Sequence, residues 1–293
     1  MEHLKHDLDS VLPRSDWSGT LDRRSFLQVS LGSSFAAAVL PALAQSAITT
    51  DSEGLETSTV IVQSGEQNVP VYRAQPAGKK NLPVVLVVSE IFGVHKHIAD
   101  VARRFARLGY LALAPDLFVR QGDPTGYTSI PDLFRDIIVK VPDQDVMQDL
   151  DACIGWAGAH GGDTRRVGIT GFCWGGRITW LYAAHNPRVK AGVAWYGRLD
   201  QDKTPLQPLN PVDVAPALKV PVLGLYGGKD SGIPLASVER MRGALSQAHS
   251  GSEIVVYPHA GHAFYADYRP GYSEAEARDG WLRCVGWLRK VGV

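Results

Sequence analysis

The chain has 293 residues, of which 45% are apolar and 20% charged, with thirty basic side chains balanced by thirty acidic ones. That composition suits a soluble α/β domain large enough to fill one core, and it lacks the basic surplus that nucleic-acid binding requires. With the charges balanced, small molecules are the expected partners and a monomer the expected state; three cysteines, an odd number, give no disulfide framework.

The first 50 residues differ in kind from the rest, and 1–44 read as a signal peptide. Asp22-Arg23-Arg24-Ser25-Phe26-Leu27-Gln28 precedes a weakly apolar stretch to Leu40, and Ala42-Leu43-Ala44 supplies a small-residue cleavage pattern. Paired arginines, a short apolar run and such a site together predict a signal peptide for the twin-arginine export machinery, with a periplasmic or secreted product. The run is too short and too rich in Ser, Gly and Ala to span a membrane. Residues 45–58 read as a linker and 59–293 as a single domain.

Strands at 59–63 and 69–73 flank a turn-forming segment as an edge hairpin. Further strands are expected at 84–89, 110–114, 167–171, 191–195, 222–226 and 253–257, alternating with helices near 97–108, 143–159, 174–185, 235–249 and 274–289. This is the pattern of a mostly parallel sheet covered by helices on both faces. The stretch from Asp116 to Val141 carries Gly122, Pro124 and Gly126 and is expected to form part of the rim over a site. His95 and His97, one residue apart near a helix start, cannot share a helix face as ligands would; they read as surface histidines. No CxxC, HExxH, Walker-type loop or GxGxxG after a strand is present, so neither a metal nor a cofactor is expected.

Gly171-Phe172-Cys173-Trp174-Gly175-Gly176 sits between a predicted strand and a predicted helix, the setting of a nucleophile elbow with cysteine as the nucleophile. Small residues at Gly171 and Gly175 permit the sharp reversal. An acid and a histidine should follow in that order. Asp230 ends the strand-turn sequence Val222 to Asp230, and Pro258-His259-Ala260-Gly261-His262 leaves the last strand. His262 is preferred to His259 as base because Ala260-Gly261 lets the loop turn the later residue inward. Cys153 and Cys284 fall on helical apolar stripes and read as core.

Over nearly the whole mature region the chain resembles the dienelactone hydrolases, or carboxymethylenebutenolidases. The resemblance rests on Ser89-Glu90-Ile91-Phe92-Gly93-Val94, Ala114-Pro115-Asp116-Leu117-Phe118 with Arg120 following, the Gly171–Gly176 elbow, Gly228-Lys229-Asp230 and Gly261-His262-Ala263-Phe264. It implies an α/β-hydrolase fold and opening of a lactone or ester through a cysteine acyl-enzyme. Cys173, His262 and Asp230 would form the triad, and the backbone amides of Ile91 and Trp174 the oxyanion hole. Glu90 would contact the resting thiol, and Arg120 would bind a substrate carboxylate. A second such arginine normally follows the histidine by four residues; here that position is Ala266, and Arg269 is the nearby substitute. A general carboxylesterase or thioesterase, or a non-catalytic binding protein on the same scaffold, are the competing readings.

Overall fold

In a computed structural model of the chain, residues 47–248 and 250–293 are described; the expected signal peptide, with Arg23, Arg24 and the Ala42-Leu43-Ala44 site, lies outside them. The hairpin begins earlier than its alternation suggests. Strands β1 (Leu55–Ser64) and β2 (Gln67–Pro76) pair antiparallel in full register, closed by Gly65 at φ 59°, a left-handed turn position that glycine fills without strain. Residues just before β1 are already docked: the Thr50 amide donates to Asp100, and Arg103 donates to the Thr50 carbonyl at 2.7 Å.

Then follow β3 (Leu82–Val88), β4 (Leu111–Pro115), β5 (Gly162–Phe172), β6 (Val189–Trp195), β7 (Val222–Gly227) and β8 (Glu253–Tyr257). Among the described residues these make one eight-stranded sheet in the order β1-β2-β4-β3-β5-β6-β7-β8, parallel from β4 onward. The near-continuous apolar runs of β3 and β4 are buried throughout or nearly so, as parallel strands covered on both faces must be. Helices α1 (Lys96–Arg107), α3 (Asp143–Ala159), α4 (Trp174–His185), α6 (Leu235–Leu245) and α7 (Glu274–Lys290) match the expected set. Two short helices, α2 (Ile130–Asp136) and α5 (Pro211–Val214), were not expected, because one or two turns carry too little periodicity to be read. The result is the expected α/β-hydrolase fold.

The turn from β5 into α4 works only without side chains at its glycines. A Cβ on Gly171 would lie 2.1 Å from the Gly175 carbonyl oxygen, and one on Gly175 would lie 2.4 Å from the carbonyl oxygen of Val88 and 2.6 Å from that of Ser89. The start of α4 is thereby pressed onto the end of β3. Gly171→Ala is expected to lower the unfolding free energy by about 3 kcal/mol in urea titrations. Gly243→Ala in α6, where a new Cβ meets nothing within 4 Å, should be neutral or stabilise by up to about 1 kcal/mol.

Candidate active site

Cys173 occupies the reversal itself, at φ 54° and ψ −115°. A side chain there costs of order 1–3 kcal/mol and persists only where its surroundings over-determine it. They do so here: the Cys173 amide donates to the Trp195 carbonyl at 3.0 Å, and its own carbonyl accepts from Gly176 and Arg177 at 2.9 and 3.3 Å. The thiol side chain is 9% exposed, whereas Cys153 and Cys284 are sealed in the core, where burial raises both thiols' pKa.

Asp230 and His262 arrive on two loops fastened to each other. Gly228 and Lys229 donate to the carbonyls of Tyr257 and Ala260 at 2.8 and 2.9 Å. Cβ atoms on Gly227 and Gly228 would collide with the opposite backbone at 2.6 and 2.8 Å. Asp230 Oδ1 accepts from the amides of Gly232 and Ile233 at 2.9 and 3.2 Å, which leaves Oδ2 to meet His262 Nδ1 at 2.7 Å. His262 Nε2 is buried with no hydrogen-bond partner. Burial alone would make the ring harder to protonate, but the charges of Asp230 and Cys173 prevail and raise its pKa to about 10. His262 is thus fixed by Asp230 on one ring nitrogen, with the Cys173 sulfur near enough to act on the ring. His259, the alternative base, is exposed.

Around the sulfur lies a buried charged cluster that sequence reasoning saw only in part. Glu90, 1% exposed at the end of β3, accepts from the Tyr268 hydroxyl at 2.5 Å and faces Arg269 at 3.7 Å. Burial disfavours its carboxylate, yet Arg269 and Tyr268, with smaller help from His97 and His95, hold its pKa below the ordinary value. Its other oxygen, Oε1, is the one that faces Arg269 and makes no hydrogen bond. Arg269 stacks over Phe92, 5.4 Å from the ring centre. Ala266 is fully buried, and Arg269 lies one three-residue turn beyond it, its amide donating to the Ala266 carbonyl at 2.9 Å.

His95 and His97 are corrected: they are not surface residues. His97 is 6% exposed, its Nδ1 3.0 Å from Asp267. His95 caps α1 by accepting from the His97 amide at 3.3 Å; burial lowers its pKa to about 4. Both rings pack on Tyr268, at 4.8 and 5.1 Å. Their partners come from a loop about 170 positions away, which no local pattern reports.

Arg120 is placed differently from Arg269. Its two terminal nitrogens meet both oxygens of Asp149 in α3 at 2.6 and 2.8 Å, and its Nε is 3.8 Å from Asp145. The rim segment that carries it does reach the site: Phe118 packs on Trp174 at 4.8 Å, and Pro124 lies where a Cβ on Gly93 would be. Ile91 follows Glu90, and Trp174 is the first residue of α4, whose amide has no acceptor within its helix. The contact of Gly175 with Val88 and Ser89 sets these two amide-bearing segments side by side. No group of three or more His, Cys, Asp or Glu side chains among the described residues is arranged to hold a metal.

The raised histidine has a measurable consequence. In the unfolded chain the ring titrates near pH 6.5, in the fold at about 10. Its stabilisation is therefore complete below 6.5 and is lost as pH rises towards 10. The thermal midpoint is expected to fall across that window, His262→Gln should flatten the fall, and Asp230→Asn should shift it to lower pH.

Comparison with known proteins agrees with this geometry. Residues 69–292 match the model of the "Dienelactone hydrolase family". A "Putative carboxymethylenebutenolidase" of Methylorubrum extorquens is 56% identical over 275 residues, covering 94% of each chain. A "Probable 2-oxo-3-(5-oxofuran-2-ylidene)propanoate lactonase" of a Bradyrhizobium species is 30% identical over 228 residues, covering 77% of this chain and 90% of its own. The crystal structure of a "Putative Dienelactone Hydrolase" from Klebsiella pneumoniae superposes with a TM-score of 0.79 at 54% identity, covering 80% of this chain and 99% of the other. With fold, elbow and sequence in agreement, the chain belongs to the dienelactone hydrolase family.

Proposed function

We propose that this hydrolase opens a lactone or cleaves a carboxylic ester, on a dienelactone-like substrate that bears a carboxylate, through a thioester on Cys173. The observation that carries the reading is His262 fixed by Asp230 at 2.7 Å, with its Nε2 buried and unpaired and the Cys173 sulfur acting on the ring. In the first half-reaction the Cys173 thiolate, its proton already held on His262, attacks the acyl carbon. The oxyanion so formed accepts from the Ile91 and Trp174 amides, a kind of contact whose loss typically costs about 3–4 kcal/mol of barrier. The carbon–oxygen bond then breaks and the leaving oxygen takes the proton from His262. In the second half, water attacks the thioester, gives a proton to His262, and the sulfur departs as the thiolate.

The substrate carboxylate is assigned to Arg269. Arg120 is already occupied by Asp149 on two nitrogens, whereas Arg269 pairs with Glu90 across 3.7 Å. A substrate carboxylate at Arg269 would displace Glu90, which would then be the acid that gates the thiol. The relative described as a lactonase supports the choice of a lactone.

Cys173→Ala is expected to abolish turnover of a dienelactone while leaving the thermal midpoint within a few degrees, and Cys173→Ser to be folded but slower by about a hundredfold or more. Iodoacetamide should label Cys173 and spare Cys153 and Cys284, checked by peptide mass mapping. Ester hydrolysis at near wild-type rate in Cys173→Ala would remove the mechanism. Turnover of a simple aryl ester without turnover of the dienelactone would favour a general carboxylesterase.

We also propose export of the folded protein to the periplasm through the twin-arginine machinery, supported by Arg23-Arg24 and Ala42-Leu43-Ala44. Changing both arginines to lysine should leave the precursor in the cytoplasm, followed by fractionation. Normal periplasmic yield of that variant would overturn the proposal.

A further inference from the structure

Tyr196 carries two costs that the triad does not explain. It follows β6 immediately, between the strands that deliver Cys173 and Asp230, and its backbone stands at φ 37°, a region that a bulky residue occupies only under constraint. The constraint is visible. The Tyr196 amide donates to the Leu225 carbonyl at 2.8 Å, and the next residue, Gly197, abuts α4 so closely that a Cβ would sit 2.3 Å from the Arg177 amide. The second cost is the hydroxyl, which is fully buried and makes no hydrogen bond. An unmet buried hydroxyl forfeits about 1–3 kcal/mol.

Both costs fall at the reacting centre. The ring stands edge-on to His262 with centres 5.1 Å apart. Burial and the charges of Glu90, Tyr268 and Cys173 keep the hydroxyl protonated, well above the usual tyrosine range, so it serves as a neutral donor. Arg269, the guanidinium assigned above to a carboxylate, is among the charges that act on the same hydroxyl. Tyr268 already donates to Glu90, whereas the Tyr196 hydroxyl makes no hydrogen bond.

We propose that Tyr196 is a substrate-binding residue whose hydroxyl donates to a carboxylate oxygen of the substrate, completing with Arg269 a two-donor site on the acyl side of Cys173. The proposal rests on the ester hydrolase reading. It adds that recognition of the carboxylate comes from the end of β6, where the family resemblance named no binding residue. A donor that stays unpaired in the free enzyme and pairs only with the ligand converts its desolvation cost into discrimination against substrates lacking the acceptor.

The test uses the full chain and Tyr196→Phe, which keeps the ring and removes the oxygen. Mono(4-nitrophenyl) glutarate supplies a carboxylate, and 4-nitrophenyl butyrate lacks one. The variant is expected to lose about tenfold or more in kcat/KM on the glutarate ester and less than twofold on the butyrate, with a thermal midpoint unchanged or slightly raised. Equal losses on both esters, no loss on either, or a midpoint lowered by several degrees would overturn the assignment. A second readout needs no turnover: glutarate should slow iodoacetamide alkylation of Cys173 in the wild type and protect poorly in Tyr196→Phe. If the wild type hydrolyses neither ester yet shows this difference in protection, the hydrolase reading fails and the binding role of Tyr196 stands. Equal protection in both proteins would remove that role.

Discussion

Backbone-to-backbone contact at the start of α4 is the constraint from which the rest of the site follows. Missing methyl groups at Gly171, Gly175 and Gly176 let the helix close on β5, on the Val88–Ser89 carbonyls and on the Trp195 carbonyl together. Each contact would be broken by a Cβ between 2.1 and 2.6 Å from a backbone oxygen, and backbone cannot step aside as a flexible side chain can. One consequence is the left-handed Cys173 at the apex. Another is that the β3 end, with Glu90 and Ile91, lies beside the first turn of the helix. The same closeness recurs between Gly227-Gly228 and the 258–261 backbone, so the loops of Asp230 and His262 are registered to each other by the same device. Cys173, Asp230 and His262 are positioned this way by main chain, which is stiffer than side-chain packing and suits geometry that must hold within fractions of an ångström.

The buried charges need a comparable frame. Glu90, Arg269, Asp267 and His97 are nearly water-free, and removing one member of such a pair typically costs about 3–5 kcal/mol because its partner is left exposed to low dielectric. The loop following His262 meets that demand from both sides. Tyr268 and Arg269 face inward to Glu90, while Asp267 between His262 and α7 faces outward to His97 at 3.0 Å and Arg104 at 2.6 Å. Arg104 continues to Asp100 at 2.6 Å, and Asp100 receives the Thr50 amide. A chain of charge-assisted bonds thus runs from the first described residues through α1 to the loop that holds the base. It explains why residues that look like a linker are ordered against the domain, and why α1 carries arginines at 103, 104 and 107 on the side that meets residues 48–51.

Much of this was legible in the sequence, for identifiable reasons. Long apolar runs such as Leu82–Val88 and a glycine-flanked cysteine between strand and helix are local patterns, and local patterns survive without coordinates. The order of nucleophile, acid and histidine and the preference for His262 over His259 rest on the same kind of pattern; His259 is exposed. What escaped was long-range pairing. Nothing near His97 announces Asp267, nothing near Arg120 announces Asp149, and nothing near Glu90 announces Tyr268. Tyr196 escaped for a different reason: a strand-end tyrosine is ordinary core composition, and only its backbone angle and unpaired hydroxyl set it apart.

The two arginines differ in pairing, and the proposed recognition of a carboxylate rests on that difference. Arg120 and Arg269 are both candidates by sequence, and a charge count treats them as equal. Arg120 meets Asp149 through two parallel bonds below 2.9 Å, the bidentate geometry that gives the strongest arginine–carboxylate pairs. A substrate would have to break both bonds and leave the fully buried Asp149 side chain uncompensated. Arg269 faces Glu90 at 3.7 Å, beyond hydrogen-bond reach, and Glu90 keeps Tyr268 as a donor when the arginine turns elsewhere. Exchanging one carboxylate for another at Arg269 would therefore leave Glu90 a hydrogen-bond donor, whereas recruiting Arg120 would strand Asp149. The absence of an arginine at Ala266 follows the same logic: with Arg269 three residues on and already inside the cluster, a second guanidinium there would add a buried cation without a matching anion until substrate arrived.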